Sequence, residues 1–315
     1  MINIVIDTDP GHDDIIASLV AFAHKEAFNI LGFTTVCGNQ TIEKVTNNIL
    51  NVLNYLNLDI PVAVGAGKPL CRLPEPQPLA HGESGLDGPI FGHCDKKTLD
   101  ISAVEFLYSK LKETKLTIVA LAPLTNIAEL LEKHPDCKDN IERIVLMGGS
   151  VYSGNIQVKS EFNIYHDPEA AKIVFNSKVP IVMAPLEVCY AGGIDLSLIE
   201  RFNKNGKVSK LVYDMLSFYS LYSLNHNLKD TIIFDMTTII YLLNPEIFTI
   251  KKYNVDIELN GDYTRGMTVC EDIKEDSIIH NPVDVLMDVD NEKFTNIFLE
   301  SIDYLDKQYE EGLNQ

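Results

Sequence analysis

The sequence predicts an α/β fold: a Rossmann-like, mostly parallel central sheet with helices on both faces, plus a small antiparallel strand pair and added C-terminal helices. Three observations carry this expectation. Short apolar runs rich in β-branched residues alternate with amphipathic segments of helical period, the pattern of right-handed βαβ units. Pro, Gly, Asn or Asp closes most of the strand-like runs. Polar residues gather just past predicted strand ends, where open α/β sheets place their ligands. With no repeat, low-complexity segment or linker in its 315 residues, the chain reads as a single domain over 1–315.

The first predicted strand is Ile2, Ile4, Val5 and Ile6, closed by Pro10-Gly11. Asp13 and Asp14 open an amphipathic helix with acids in its first turn. Asn29 to Val36 reads as a second strand, Thr41 to Leu56 as a helix and Ile60 to Val64 as a third strand. Gly65 to Lys96 is rich in Pro and Gly and reads as a binding loop, a lid or a surface excursion. The alternation resumes with a helix at Ile101 to Lys112, a strand at Leu116 to Leu121, a helix near Ile127 to Lys133 and a strand at Ile141 to Met147. Asp167-Pro168-Glu169 has the order of an N-cap, first helical position and first turn. Val179 to Ala184 is another strand. Asp195 to Phe202, Val208 to Leu228 and Phe234 to Leu243 read as helices. Lys251 to Leu259 and Thr264 to Val269 read as an antiparallel pair around Asn260-Gly261, Val283 to Val289 as a last strand and Lys293 to Tyr309 as a closing helix.

Composition narrows the function. A net charge of -19 argues against a nucleic-acid surface or an anionic-membrane binder. Six scattered cysteines without a CxxC pair suit reduced thiols in a cytoplasmic protein better than a disulfide framework or a zinc site. No secretory leader and no apolar run of transmembrane length is visible.

The chemistry concentrates in IVIDTDPGHDD, where Asp7, Asp9, Asp13 and Asp14 crowd the end of a strand. Helix capping accounts for Asp13 and Asp14 but not for Asp7 and Asp9. Crowded carboxylates repel one another unless a cation or proton joins them, and hard cations take oxygen ligands. Asn39, the turn after Leu121 and the Met147 region fall at other strand ends of the same sheet. Asn155, Glu161, Asn163 and Asp235 are further polar candidates.

The segments DTDPGHDD (7–14), TTVCGNQT (34–41), HGESGLDG (81–88), LAPLTNIA (121–128), VLMGG (145–149), EFNIYHDPEAA (161–171) and GMTV (266–269) together resemble the calcium-dependent nucleoside hydrolases of the inosine-uridine preferring type, over nearly the whole chain. The resemblance implies an enzyme that hydrolyses the N-glycosidic bond of ribonucleosides to ribose and free base. It implies Ca²⁺ on Asp9, Asp14, the Leu121 carbonyl and Asp235, with Asp9 as base toward the attacking water. Asp13, Asn39 and Asn163 would hold the 2′ and 3′ hydroxyls, and Asn155 and Glu161 the 5′ hydroxyl. Met147 would lie under the sugar, and Asp7 would stand behind the others and orient them. His81, Phe162, Phe218, Tyr222 and Phe234 would line the substrate site. A role in purine or pyrimidine salvage and a homodimer or homotetramer also follow from the resemblance alone.

Three departures stand out. Phe234 occupies the position where similar family members carry a His that serves the leaving base. The chain also has no Trp for the stacking used by purine-specific members, and PLEVCY (185–190) replaces a segment closer to LDVTH. Tyr222, His226 and His81 are candidate replacement acids, and packing by Phe234, Phe218 and Tyr222 is the expected means of holding the base. Phe234 also motivates the alternative of a nucleoside- or ribose-binding protein without turnover. A Mg²⁺ phosphotransferase of the haloacid-dehalogenase type, with Asp7 as nucleophile, lacks its accompanying Lys motif.

Overall fold

The structure is a computed structural model that describes residues 1–204, 206–225 and 228–312. Its strands are β1 (Ile2–Thr8), β2 (Phe28–Thr35), β3 (Val62–Val64), β4 (Leu116–Ala120), β5 (Ile141–Met147), β6 (Ile181–Ala184), β7 (Ile194–Asp195), β8 (Asp230–Thr231), β9 (Phe248–Ile257), β10 (Thr268–Asp272) and β11 (Pro282–Val289). Nine of them form one sheet in the order β10-β9-β11-β6-β5-β4-β1-β2-β3, and β7 and β8 pair separately. Pairing is parallel from β3 through β11, and β9 then runs antiparallel to both β11 and β10.

The central strands are apolar because helices cover both faces. Alternate residues of β1 go to opposite cores: Ile4 and Ile6 to one, Val5 to the other. The helix Ile42–Tyr55 turns Val45, Ile49, Val52 and Leu53 inward, each inaccessible to solvent. Burying an aliphatic side chain of this kind contributes about 2 kcal/mol.

The strand order contains a switch that places the site. From β1 the chain moves outward to β2 and β3, then returns to lay β4 on the other side of β1. In such sheets the crevice opens at the carboxyl ends of the strands flanking the reversal. Asp7 of β1 lies in register with Thr34 of β2 and Ala120 of β4 there.

Several expected elements differ in extent. Val179 and Pro180 precede β6, and the strand begins at Ile181. The predicted helix over 208–228 is two helices, Lys207–Tyr219 and Leu221–Asn225, parted at Ser220. The Pro/Gly-rich stretch carries a four-residue helix, Pro78–His81. The antiparallel pair is present, but it extends the main sheet, and its second strand begins at Thr268. Gly266 adopts φ +77° and donates its N–H to the Glu258 carbonyl at 2.7 Å. That closes a ten-residue loop, 258–267, in place of a tight Asn-Gly turn. Among the described residues no helix is long and apolar enough to cross a membrane.

Candidate active site

β1 delivers Asp7 and Asp9 to the switch point, and the helix His12–Ala23 begins there with Asp13 and Asp14 in its first turn. The positive end of the helix dipole favours acids at this position. The Gly11 N–H donates to Asp14 Oδ2 at 2.9 Å, and the Thr8 hydroxyl donates to Asp14 Oδ1. Asn39, just past β2, donates its backbone N–H to Asp9 Oδ2 at 2.7 Å and its side-chain amide to the Asp9 carbonyl at 3.2 Å. Gly38 makes this contact feasible, since a Cβ there would lie 2.0 Å from Asp9 Oδ2. Asp235 enters from the start of the helix Met236–Leu243, which packs on the helix His12–Ala23.

Ligand atoms of Asp13, Asp14 and Asp235 come within 4.8 Å of one another, all three side chains buried. Asp9 Oδ1 and Asp13 Oδ1 are buried and lack a hydrogen-bond partner among the described residues. Burial, followed by the charge of Asp14, pushes the Asp9 carboxyl well above the usual range. Burial and the neighbouring acids Asp13, Asp14 and Asp9 do the same to Asp235. Asp14 is raised to about 7 by burial and then by Asp13, and Asp13 to about 6 by burial. Bare oxygens and mutually raised carboxyls are what a hard divalent cation would relieve, so this donor set fits one.

A second group lies at the ends of β4 and β5. The Asn163 side-chain amide donates to the carbonyls of Leu121 at 2.9 Å and Met147 at 3.1 Å. Glu161 caps the short helix Phe162–His166, accepting the Asn163 N–H at 2.8 Å, the Gly149 N–H at 2.9 Å and the Ile164 N–H at 3.1 Å. These three contacts use most of roughly four acceptor sites on a carboxylate and leave about one for a ligand. Burial lifts its pKa to about 7, and the charge of Asp13 adds to the rise. Asn155 Oδ1 accepts the Phe162 N–H at 3.0 Å, which ties the 150–160 loop to this helix. Asp7 stands behind the acids, its Oδ1 accepting from Thr34 and, at 2.7 Å, from the Asn126 amide.

The aromatic candidates are placed less uniformly. Phe234 is half-buried and meets Tyr190 edge-on at 6.0 Å. Phe162 lies 5.4 Å from the His166 ring. Tyr222 is 63% exposed, and Phe218 stacks on His12 at 5.5 Å. His226 lies outside the described residues. His81 is buried and stacks on His12 at 5.4 Å and Tyr219 at 5.5 Å.

Two residues that sequence reasoning passed over belong to this site. The Tyr219 hydroxyl donates to Asp13 Oδ2 at 3.4 Å, and His12 faces His81 nitrogen to nitrogen at 3.2 Å. Tyr219 sits inside the aromatic run 218–222, but helical spacing does not say which ring turns inward. His12 lies within the acidic motif itself and was the more readable signal.

The family model for inosine-uridine preferring nucleoside hydrolase matches residues 4–296. The chain belongs to this nucleoside hydrolase family. A pyrimidine-specific ribonucleoside hydrolase, RihA, from Salmonella typhimurium is 42% identical over 307 residues, covering 96% of this chain and 98% of its own. RihA from Escherichia coli O1:K1 / APEC is 41% identical over the same length. Among solved structures, a purine-preferring ribonucleoside hydrolase from Gardnerella vaginalis superposes with a TM-score of 0.90 at 29% identity, covering 97% of this chain and 99% of its own. As a nucleoside hydrolase, the chain is an enzyme that releases ribose and free base from ribonucleosides. The alternative of a binder without turnover finds no support among these relatives.

Proposed function

We propose that this nucleoside hydrolase acts on pyrimidine ribonucleosides, with Ca²⁺ held by Asp9, Asp14, Asp235 and the Leu121 carbonyl. The observation that carries the reading is the bare, buried Oδ1 of Asp9 beside the grouped carboxylates. The grouping of Asp13 with Asp14 and Asp235 favours Asp13 as a further ligand. When bound, the cation would supply the positive charge that acidifies a water and anchors sugar hydroxyls.

The protein's own groups do the rest. Asn39 fixes Asp9 through Oδ2, so Oδ1 is the atom that takes the proton from water. Asp13, Asn39 and Asn163 orient the 2′ and 3′ hydroxyls. Glu161 and Asn155 meet the 5′ hydroxyl, and Met147 packs beneath the ring. Positive charge grows on the ribosyl ring as the bond to the base breaks, and the surrounding carboxylates favour it. Phe218, Tyr222, Phe234, Phe162 and His81 form the wall against the base.

The names of the relatives at 41–42% identity support pyrimidine nucleosides, and a wall with Phe234 in place of a proton donor suits them. A role in nucleoside salvage, a cytoplasmic location and a homodimer or homotetramer complete the proposal. Calorimetric titration of chelator-stripped protein with CaCl₂ tests the metal half. Saturable binding that weakens in Asp14→Asn is expected, and no binding to the wild type would overturn it.

A further inference from the structure

His12 is completely buried, and its two ring nitrogens have different partners. Nε2 lies 2.8 Å from the Asp87 carbonyl, and Nδ1 lies 3.2 Å from His81 Nδ1. A carbonyl only accepts, so His12 carries its proton on Nε2. Its Nδ1 is then a lone pair, and His81 must supply the proton in the contact between the two rings. A neutral imidazole has one proton. His81 therefore holds it on Nδ1 and leaves Nε2 bare.

The opposite arrangement would let the His12 backbone N–H, 3.4 Å away, donate to His81 Nδ1. With either His12 tautomer it would set two lone pairs against each other, at 3.2 Å between the two Nδ1 atoms or at 2.8 Å between His12 Nε2 and the Asp87 carbonyl. Repulsion at either distance outweighs a bond at the limit of hydrogen-bonding range. Both rings are buried, which favours their neutral forms.

The Asp87 end of this chain is itself fixed. Its carboxylate accepts the backbone N–H groups of Glu83 and Ser84 at 3.1 and 3.0 Å and the Ser84 hydroxyl at 2.5 Å, so the carbonyl that meets His12 belongs to a closed turn. At the other end, a Cβ on Gly11 would lie 2.5 Å from His81 Nδ1 and 2.9 Å from the Asn39 amide nitrogen, which puts the His81 ring beside the sugar-binding residues.

We infer that His12 is a positioning residue that holds His81 in the Nδ1–H form, so that His81 offers substrate a hydrogen-bond acceptor. This deepens the ribohydrolase reading and rests on it. The ligand class it selects is a nucleoside presenting an N–H or amino donor at that edge, as cytosine and uracil do.

Nitrogen-15 NMR of the calcium-loaded protein reads the tautomer directly, with the His81 signals assigned by their loss in His81→Gln. A protonated Nδ1 and bare Nε2 are expected in the wild type. His12→Phe keeps the ring stack and removes the acceptor. It should mix the two tautomers and lower kcat/KM for cytidine about tenfold, mainly through KM. His12→Gln retains a donor and an acceptor and should restore most of that loss. A protonated Nε2 in the wild type, or an unchanged His81 spectrum in His12→Phe, would overturn the inference. If the wild type releases no ribose, the ribohydrolase reading falls, and the spectrum of the resting protein still decides the role of His12.

Discussion

Asn39 holds one oxygen of Asp9 and leaves the other bare. Its backbone N–H donates to Oδ2 at 2.7 Å, and Oδ1 is buried without a partner among the described residues. This division assigns the proton-accepting atom. Asp9→Asn should lower kcat by about 10³-fold, the ordinary worth of a positioned base. Its unfolding temperature without metal should hold or rise, because the change removes a buried acid whose ionisation the neighbouring carboxyls oppose. Steady-state kinetics and a thermal melt check both parts. A kcat within a factor of about ten of wild type would remove Asp9 from the base role.

The cluster also predicts an unusual pH dependence of stability. Asp7, Asp14 and Glu161 are raised to about 7 and Asp13 to about 6, in each case chiefly by burial. An acid with a raised folded pKa keeps the folded state protonated where the unfolded state has ionised. Its contribution is complete below the unfolded value and is lost as pH rises through the folded one. Metal-free protein should therefore lose stability between pH 4 and 7, in the range these values define. Calcium should restore it most strongly above pH 7, by about 2.7 kcal/mol at a hundredfold excess over Kd. Melts in EDTA and in CaCl₂ at pH 5 and pH 8 test this. An EDTA melt more stable at pH 8 than at pH 5 contradicts it.

Tyr219 and Tyr222 separate by position. Tyr219 is half-buried with its hydroxyl toward Asp13, whereas Tyr222 is 63% exposed. Tyr219→Phe keeps the stack on His12 and His81 and should raise KM several-fold, at about 1 kcal/mol for one hydrogen bond to a carboxylate. Tyr222→Phe should retain kcat on uridine and inosine. A collapse of kcat in Tyr222→Phe would instead make that phenol the leaving-group acid.

Phe234 is where base preference can be moved. Its ring is half-buried against Tyr190 and brings no proton donor. Phe234→His should raise kcat/KM for inosine relative to cytidine by about tenfold or more, since a purine leaves more readily when protonated. An unchanged ratio would show that Phe234 does not face the base.

Much of the site was legible because it is local. Four acids between Asp7 and Asp14, ending a β-branched run, announce a strand end that carries charge. The Asp167 cap was equally readable, and its carboxylate accepts the Ala170 N–H at 3.1 Å. What escaped depends on contacts between distant segments. His12 and His81 are 69 residues apart, and a loop of unpredictable path joins their partners. Asp235 was named from the sequence as a candidate, and what the sequence does not show is that its helix packs on the one carrying Asp13 and Asp14. For Glu161 the sequence did not show that most of its acceptor capacity serves a helix start. The late start of β10 reflects a left-handed Gly266, a backbone state that a Gly permits without announcing.

Ribose release is the most direct test of the central claim. A reducing-sugar assay would compare uridine, cytidine, inosine, adenosine and guanosine, with EDTA and with restored calcium. The account predicts ribose from uridine and cytidine, lost in EDTA and recovered with Ca²⁺. No ribose from any nucleoside, or release indifferent to chelation, would contradict it.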